Sequence, residues 1–208
     1  MQFELDSPKA RYKGHVVLAS SSERRRRLME DAGYDFEVIV PSLKEDRLHP
    51  QDPLVLAESL AYAKARQVAD RLERHVVIGA DTVVSLGGRL IGKPADEAEA
   101  REILRRLSGS THEVITGVCL VNARRGERLL GSEITRVVMK NLSEAELDAY
   151  VRSGESIGKA GAYAIQENGD RFVERIDGSF TNVVGLPMLL LARMLDVMKK
   201  LIYPETAR

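Results

Sequence analysis

Apolar and polar positions divide this chain into segments that predict strands and helices in alternation. Two short apolar runs, HVVLA (residues 15–19) and FEVIV (36–40), predict strands. The longer run HVVIGADTVVSL (75–86) is typical of a strand buried on both faces, and Gly87-Gly88 turns it into RLIG. The stretches THEVITGVCLVNA and ERLLGSEITRVVMK predict a long hairpin around Arg125-Gly126.

Helical spacing and capping residues predict helices between these strands. The first helix spans residues 24–32 and is closed by Gly33. Asp52 caps a long second helix that has Pro53 at its first position. The other helices are expected from about Asp96 to Leu107, from a Ser143/Glu146 capping box to Gly154, and from Pro187 to about Leu201. The stretch DGSFTNVVG (177–185) is expected to be a loop.

This order of elements predicts a mixed α/β fold with strands of both directions. Residues 1–14 are expected to be a polar N-terminal extension, and residues 15–208 to form a single domain. Hydrophobic residues make up 44% of the 208 residues, which is enough for a core. The one cysteine, Cys119, lies in an apolar run and is expected to be a small buried side chain.

The charge balance gives no support for some classes of partner. The 31 basic and 31 acidic residues give a net charge of zero, so the whole-molecule field gives no reason to expect nucleic-acid or membrane binding. The N-terminal residues lack the apolar segment of a signal peptide, and no apolar run is long enough to span a bilayer. We therefore expect a cytoplasmic protein in which any anion site is local.

The segment LASSSERRRRLME (18–30) places four consecutive arginines where the first helix begins. A helix N-terminus is the positive end of the helix dipole, so arginine is an unfavourable choice there. Residues three or four apart share a helix face, which puts Arg24 and Arg25 on or beside the core-facing side, one turn before Leu28. With three serine hydroxyls and the free N–H groups of the helix start, they predict a site for a polyanion such as phosphate.

The other two arginines are expected to be neutralised at the surface. Arg26 and Arg27 each step forward one turn to an acidic residue, Glu30 and Asp31 respectively. The alternative to a phosphate site is that Ser22 is the N-cap of an ordinary surface helix that is rich in basic residues. A nucleic-acid patch is disfavoured because no aromatic residues interleave.

Asp81 lies inside the apolar run 75–86, where an unpaired buried carboxylate would cost several kcal/mol. A metal, a basic residue or a set of hydrogen-bond donors must compensate it. The alternative is an aspartate at a strand end that caps a turn. Because Val83 and Val84 continue the apolar pattern, the first interpretation is favoured.

Three lysines and a glutamine complete the candidate site. Lys93 follows the hairpin and Lys64 lies on the second helix, where a lone lysine is ordinarily a solvated surface residue. Lys159 begins KAGAYAIQ (159–166), whose small residues let a ligand or a backbone come close. Gln166 ends that run and can both donate and accept hydrogen bonds.

Taken together, these segments resemble the Maf family of nucleoside triphosphate pyrophosphatases, also described as septum-formation inhibitors. The similar segments occur in the family's order from about His15 to Met194, and include LASSSERRRRLM, LAYAKA, VIGADTVV, IGKP, RRLSGSTHEVITGV, KAGAYAIQ and VVGLP. The resemblance implies a Maf-like elongated mixed sheet with flanking helices, two lobes around a central cleft, and a homodimer.

The resemblance also implies roles for individual residues. Substrate-binding positions are matched by Ser20, Ser22, Arg24, Arg25, Lys64 and Lys93, to which the sequence adds Lys159. Asp81 matches the catalytic proton acceptor, and Glu45 and Asp81 are the expected metal ligands, with Asp46 as a second candidate beside Glu45. The branch that acts on dTTP and UTP is marked by the positions of Arg24, Thr82 and Gln166.

The implied activity is metal-assisted attack of water on the α-phosphate of dTTP or UTP, which yields the monophosphate and pyrophosphate. CTP and modified pyrimidine nucleotides are further candidate substrates, and Mg²⁺ is the expected cation, with Mn²⁺ or Co²⁺ as alternatives. The sequence departs from the family's pattern at Glu23, where the family usually has proline. Glu23 puts a negative charge near an incoming triphosphate. The alternatives are a non-catalytic nucleotide-binding regulator of septum formation and a pyrophosphatase for 7-methyl-GTP.

Overall fold

The computed structural model describes residues 15–43, 51–166 and 168–203. Within them the strands form one seven-stranded mixed sheet in the order β2-β1-β3-β5-β6-β7, with β4 paired to β3. The strands are β1 (Val16–Ala19), β2 (Glu37–Val38), β3 (Val76–Leu86), β4 (Arg89–Ile91), β5 (Thr111–Asn122), β6 (Arg128–Met139) and β7 (Val173–Asp177). The helices are α1 (Glu23–Asp31), α2 (Pro53–Ala69), α3 (Glu97–Leu107), α4 (Glu144–Arg152), α5 (Phe180–Val184) and α6 (Met188–Ile202).

Strand directions confirm the mixed α/β prediction. Strand β1 is parallel to β2 and β3, while β3, β5, β6 and β7 are antiparallel to one another in succession. Strand β3 is the long buried strand that its apolar run predicts, and its hairpin to β4 turns at Gly87-Gly88. The FEVIV segment pairs over only two residues, so β2 is shorter than predicted.

Local capping chemistry determines where several helices begin. The Asp52 side chain accepts hydrogen bonds from the N–H groups of Leu54 and Val55, and Pro53 occupies the first turn. Helix α4 begins with the complete Ser143/Glu146 capping box. These predicted helix starts are confirmed.

The prediction of a loop over 177–185 is wrong in its centre. Residues Phe180–Val184 form α5, with the Ser179 side chain accepting from the Asn182 N–H as an N-cap. Thr181 and Asn182 are buried on this helix. Tertiary packing therefore overrides the low helix propensity of threonine, asparagine and valine.

Both faces of the sheet are covered. On one face α2 packs on the sheet through small residues such as Ala61 and Ala65, in a cluster that includes Cys119. Cys119 is buried, as predicted, and burial raises the pKa of its thiol to about 12. On the other face, Leu28 of α1 and Leu104 of α3 belong to the large core cluster.

Candidate active site

A cleft of about 670 Å³ opens where β1 ends and α1 begins. Every predicted site residue within the described part of the chain lines it: Ser20, Ser22, Arg24, Arg25, Lys64, Asp81, Thr82, Lys93, Lys159 and Gln166. Glu45 and Asp46 lie outside the described residues. The cleft therefore brings together side chains from the first and the last thirds of the sequence, as Ser20 and Gln166 show.

The start of α1 is organised by two serines. The Ser20 hydroxyl accepts a hydrogen bond from the Ser22 N–H at 3.2 Å. Ser22 is the N-cap of α1, and its hydroxyl accepts from the Arg25 N–H at 3.4 Å. The loop therefore turns the positive end of the helix dipole towards the cleft, as an anion site requires.

Arg25 is buried behind this loop. Its guanidinium donates to the Gly185 carbonyl at 2.7 Å, to the Ser20 hydroxyl at 3.2 Å and to the Thr82 hydroxyl at 3.0 Å. The predicted inward position of Arg25 is confirmed. The contacts also show that Arg25 joins the serine loop, β3 and the end of α5, so it holds the wall of the cleft in place as well as lining it.

The two outer arginines are paired, but one partner differs from the prediction. Arg26 bonds Glu30 at 2.5 Å and also Glu23. Arg27 pairs with Glu23 at 3.1 Å, and in the described structure it makes no ion pair with Asp31. The prediction of an Arg27–Asp31 pair is wrong: both acids are four residues from Arg27, and a glutamate that precedes its basic partner on a helix is the more favourable order.

Glu23, the residue that departs from the family's proline, has its charge compensated by these arginines. Hydrogen bonding from Arg26, followed by the contributions of Arg27, lowers the pKa of Glu23 to about 2 against the opposing effect of desolvation. Glu23 stays ionised at neutral pH, and its negative charge is shared between two guanidinium groups. This lowers the repulsion that an isolated carboxylate would exert on a polyanion.

Asp81 and Lys64 form a buried ion pair within the cleft. Lys64 Nζ lies 2.5 Å from Asp81 Oδ1, and the two side chains are 12% and 11% exposed. Asp81 lies in the middle of β3 and not at its end, so the turn-capping alternative is wrong. Helix α2 therefore supplies, through Lys64, the basic residue that a buried carboxylate needs. The ordinary expectation for a lone lysine, a solvated surface position, is wrong for Lys64.

Lys93, Lys159 and Gln166 reach the cleft from two connected loops. The Gly161 N–H donates to the Gly92 carbonyl at 3.3 Å, which ties the Lys159 segment to the loop after β4. Within that segment Gly161 and Ala162 both have positive φ, 74° and 58°. A left-handed alanine is uncommon, so this turn is a constrained conformation that surrounding packing maintains.

A hydrogen-bond chain lies behind Thr82 that the sequence does not predict. Thr82 Oγ1 lies 2.9 Å from Thr116 Oγ1, and Thr116 donates to the Asn182 carbonyl at 3.2 Å. The Thr82 hydroxyl accepts from Arg25, and its own proton has two acceptors within reach, Thr116 Oγ1 and the Gly185 carbonyl at 3.4 Å. No local sequence motif predicts these hydrogen bonds, because β3, β5 and α5 are far apart in the sequence.

A second missed pair supports the Lys159–Gln166 segment. The Tyr163 hydroxyl lies 2.8 Å from His112 Nε2 on β5, and both residues are buried. Burial lowers the pKa of His112 to about 4 and raises the pKa of Tyr163, so both groups are neutral at pH 7. Tyr163 also lines the cleft.

The described residues offer limited protein ligation for a metal ion. They contain no group of three or more His, Cys, Asp or Glu side chains placed to hold one. Asp81 is a carboxylate that lines the cleft beside several cations. Such a donor set fits Mg²⁺, which commonly binds through one or two carboxylates together with substrate phosphates.

Fold and cleft define an α/β protein whose local cation cluster is suited to a polyanionic ligand. The chain belongs to the Maf family, because the family model described as Maf-like protein matches residues 15–198. A protein of Pelotomaculum thermopropionicum named dTTP/UTP pyrophosphatase is 46% identical over 188 residues, or 90% of this chain and 97% of that protein. A protein of Deinococcus radiodurans with the same name is 48% identical and covers 86% of this chain and 91% of its own length.

Solved structures of lower identity share the fold. The structure of a HAM1 protein from Coxiella burnetii superposes with a TM-score of 0.52 at 15% identity, covering 89% of this chain and 100% of that chain. The Ham1 protein of Staphylococcus aureus gives the same values. At this identity the likeness concerns the fold alone. Among the described residues, no helix is both long and apolar enough to cross a membrane.

Proposed function

We propose that this protein hydrolyses dTTP and UTP to the corresponding monophosphate and pyrophosphate. The observation that carries the proposal is the buried Lys64–Asp81 pair in a cleft lined by further cations. A general base beside phosphate-binding cations is what attack of water on a phosphate requires. Membership of the Maf family and the names of its 46% and 48% identical relatives support the same activity.

The triphosphate binds against the serine loop and the basic side chains that line the cleft. The N–H groups at the start of α1 face a phosphate group, and Arg24 supplies a planar donor fork next to them. Lys93 and Lys159 approach from the opposite loops as point charges. Arg25 holds Ser20 and Thr82 in position and adds its positive charge to the site.

Asp81 accepts the proton of the attacking water. As the water oxygen bonds to the α-phosphorus, its proton passes to an Asp81 oxygen, and the bond from the α-phosphorus to the bridging oxygen breaks. Pyrophosphate leaves with that bonding electron pair, and Lys93 and Lys159 neutralise the charge it gains. The Lys64 ammonium group orients the carboxylate throughout, because it is bonded to one of its two oxygens.

A divalent cation belongs to the proposal, with Mg²⁺ as the expected ion. Glu45, which lies outside the described residues, would hold it together with phosphate oxygens of the substrate, and Asp81 would be its second carboxylate ligand in the alternative in which Asp81 binds the cation and does not accept the proton. When bound, the cation would supply charge neutralisation to the triphosphate and favour the departure of pyrophosphate.

Base choice is assigned to Gln166. This side chain is exposed within the cleft, and its amide offers one acceptor and a pair of donors to a base edge. Uracil and thymine present an N–H donor beside carbonyl acceptors, which this amide complements. Cytosine presents the reversed pattern, which the amide meets by flipping, so CTP is a secondary substrate.

Product analysis tests the proposal. After incubation of the full chain with dTTP and Mg²⁺, chromatography is expected to show dTMP and pyrophosphate in equal amounts. Orthophosphate with dTDP would contradict the pyrophosphatase assignment. Tight dTTP binding without any product would favour the non-catalytic regulator instead.

A further inference from the structure

Helix α2 comes into backbone contact with the sheet at two glycines. A Cβ atom placed on Gly79 would lie 2.7 Å from the amide nitrogen of Ala65. A Cβ atom placed on Gly117 would lie 2.7 Å from the amide nitrogen of Glu58. Both separations are shorter than Cβ atoms tolerate, so the observed approach of α2 is possible only because these residues lack a side chain.

Both glycines are immediate neighbours of Asp81. Gly79 precedes it by two residues on β3, so the two residues share a face of the sheet. Gly117 on β5 is the register partner of Asp81 across the antiparallel pair. The carboxylate therefore stands on the face against which α2 packs, beside the two points where the helix backbone is nearest the sheet.

Lys64 extends from the same turn of α2 that touches Gly79. Its neighbour Ala65 provides the backbone amide nearest to that glycine, and Ala65 is fully buried. From this position Lys64 Nζ meets Asp81 Oδ1 at 2.5 Å with little exposure of either side chain. An outward shift of α2 would lengthen this contact directly, because Lys64 moves with the helix while Asp81 stays with the sheet.

We infer that Gly79 and Gly117 are positioning residues that set the distance between Lys64 and Asp81. The inference rests on the proposed function, in which Asp81 is the base. Neither glycine lines the cleft, so both act through the ion pair and not on the substrate. A purely structural role would lower stability without a selective loss of turnover.

The test compares Gly79→Ala and Gly117→Ala with a matched control on the same sheet. Gly131 on β6 is the control, since a Cβ there would meet only side-chain atoms at 3.6 Å or more. The measurements are a crystal structure of each variant, and kcat and KM for dTTP normalised to the folded fraction. Where the alanine variants do not fold, Ala65→Val adds bulk at the same contact from the helix side.

The expected result is a Lys64–Asp81 separation beyond about 3.5 Å, outside hydrogen-bond range. The kcat should fall by about 10²-fold, the scale of a misplacement of roughly 1 Å, while KM stays within about threefold because the phosphate site is intact. Gly131→Ala should match the wild type in all three quantities.

A folded variant that retains the short ion pair, or that retains wild-type kcat with the pair broken, would overturn the inference. A wild type without pyrophosphatase activity would refute the proposed function separately, and the measured separation would then still decide the positioning claim.

Discussion

Lys64 and Asp81 are 17 residues apart in the sequence and form a buried ion pair with a 2.5 Å contact. The pair joins α2 to the central strand β3, and both side chains line the cleft. A buried pair of this kind is weak evidence for a role in stability, because desolvation offsets much of the attraction. Its position among phosphate-seeking cations makes a role in catalysis the better explanation.

Asp81→Asn should abolish most of the turnover. The change is nearly isosteric, and the amide oxygen of the new side chain can still accept a hydrogen bond from Lys64, so the fold should persist with a lower Tm. It removes the proton acceptor, and kcat for dTTP should fall by about 10²-fold or more. The matched control is Asp96→Asn at the N-cap of α3, outside the cleft, where asparagine caps equally well. Near wild-type kcat in Asp81→Asn would mean that the carboxylate is structural.

Arg25→Ala should weaken dTTP binding far more than Arg27→Ala. Arg25 is buried and donates to three groups of the cleft wall, whereas Arg27 lies at the exposed edge of the cleft and pairs with Glu23. An exposed pair contributes about 0–1 kcal/mol, while a buried guanidinium that holds phosphate ligands contributes more. Michaelis constants for dTTP measure the difference, with a roughly tenfold or larger rise expected only for Arg25→Ala. Equal rises in the two variants would refute the division into inner and outer arginines.

Gln166→Glu should reduce the preference for pyrimidine triphosphates. The substitution removes the amide donor and adds a negative charge at the cleft, so a complementary base edge is left unpaired. The measurement is the ratio of kcat/KM for dTTP to that for GTP, in the wild type and in the variant. The wild-type ratio is expected to exceed one and to fall in the variant. A wild type that prefers GTP or 7-methyl-GTP, or a ratio that the substitution leaves unchanged, would contradict the base assignment.

His112 should make the fold less stable as the pH falls. Its pKa is about 4 in the folded protein against an ordinary 6.5, so between these values the unfolded chain binds a proton that the folded protein does not. The free energy of unfolding should therefore decrease on acidification through this window, by on the order of 3 kcal/mol. His112→Gln keeps a partner for the Tyr163 hydroxyl and does not titrate. Urea unfolding at neutral pH and near the folded-state pKa should show a smaller loss in the variant; identical losses would exclude His112 as the cause.

Much of the fold could be predicted because its signals are local. The apolar run of β3, the Asp52 cap of α2 and the Ser143/Glu146 capping box of α4 each specify an element within a few residues. Helix α5 was missed because its sequence is poor in helix formers, and burial of Thr181 and Asn182 stabilises it. That stabilisation depends on contacts with distant strands, which no local pattern contains.

The candidate site divides in the same way. The inward position of Arg25 follows from helix periodicity, and a buried Asp81 follows from the apolar run around it. Periodicity could not decide whether Arg27 pairs forward or backward by one turn, and the structure pairs it with Glu23. The partnership of Asp81 with Lys64 depends on the packing of α2 on the sheet, which sequence spacing does not reveal.

The position of water attack tests the account most directly. Hydrolysis of dTTP by the wild-type protein in ¹⁸O-labelled water, followed by mass spectrometry of both products, identifies the phosphorus atom that the water reaches. Attack at the α-phosphorus, with Asp81 accepting the proton, predicts one ¹⁸O atom in dTMP and none in pyrophosphate. Label in pyrophosphate or in orthophosphate would contradict the account.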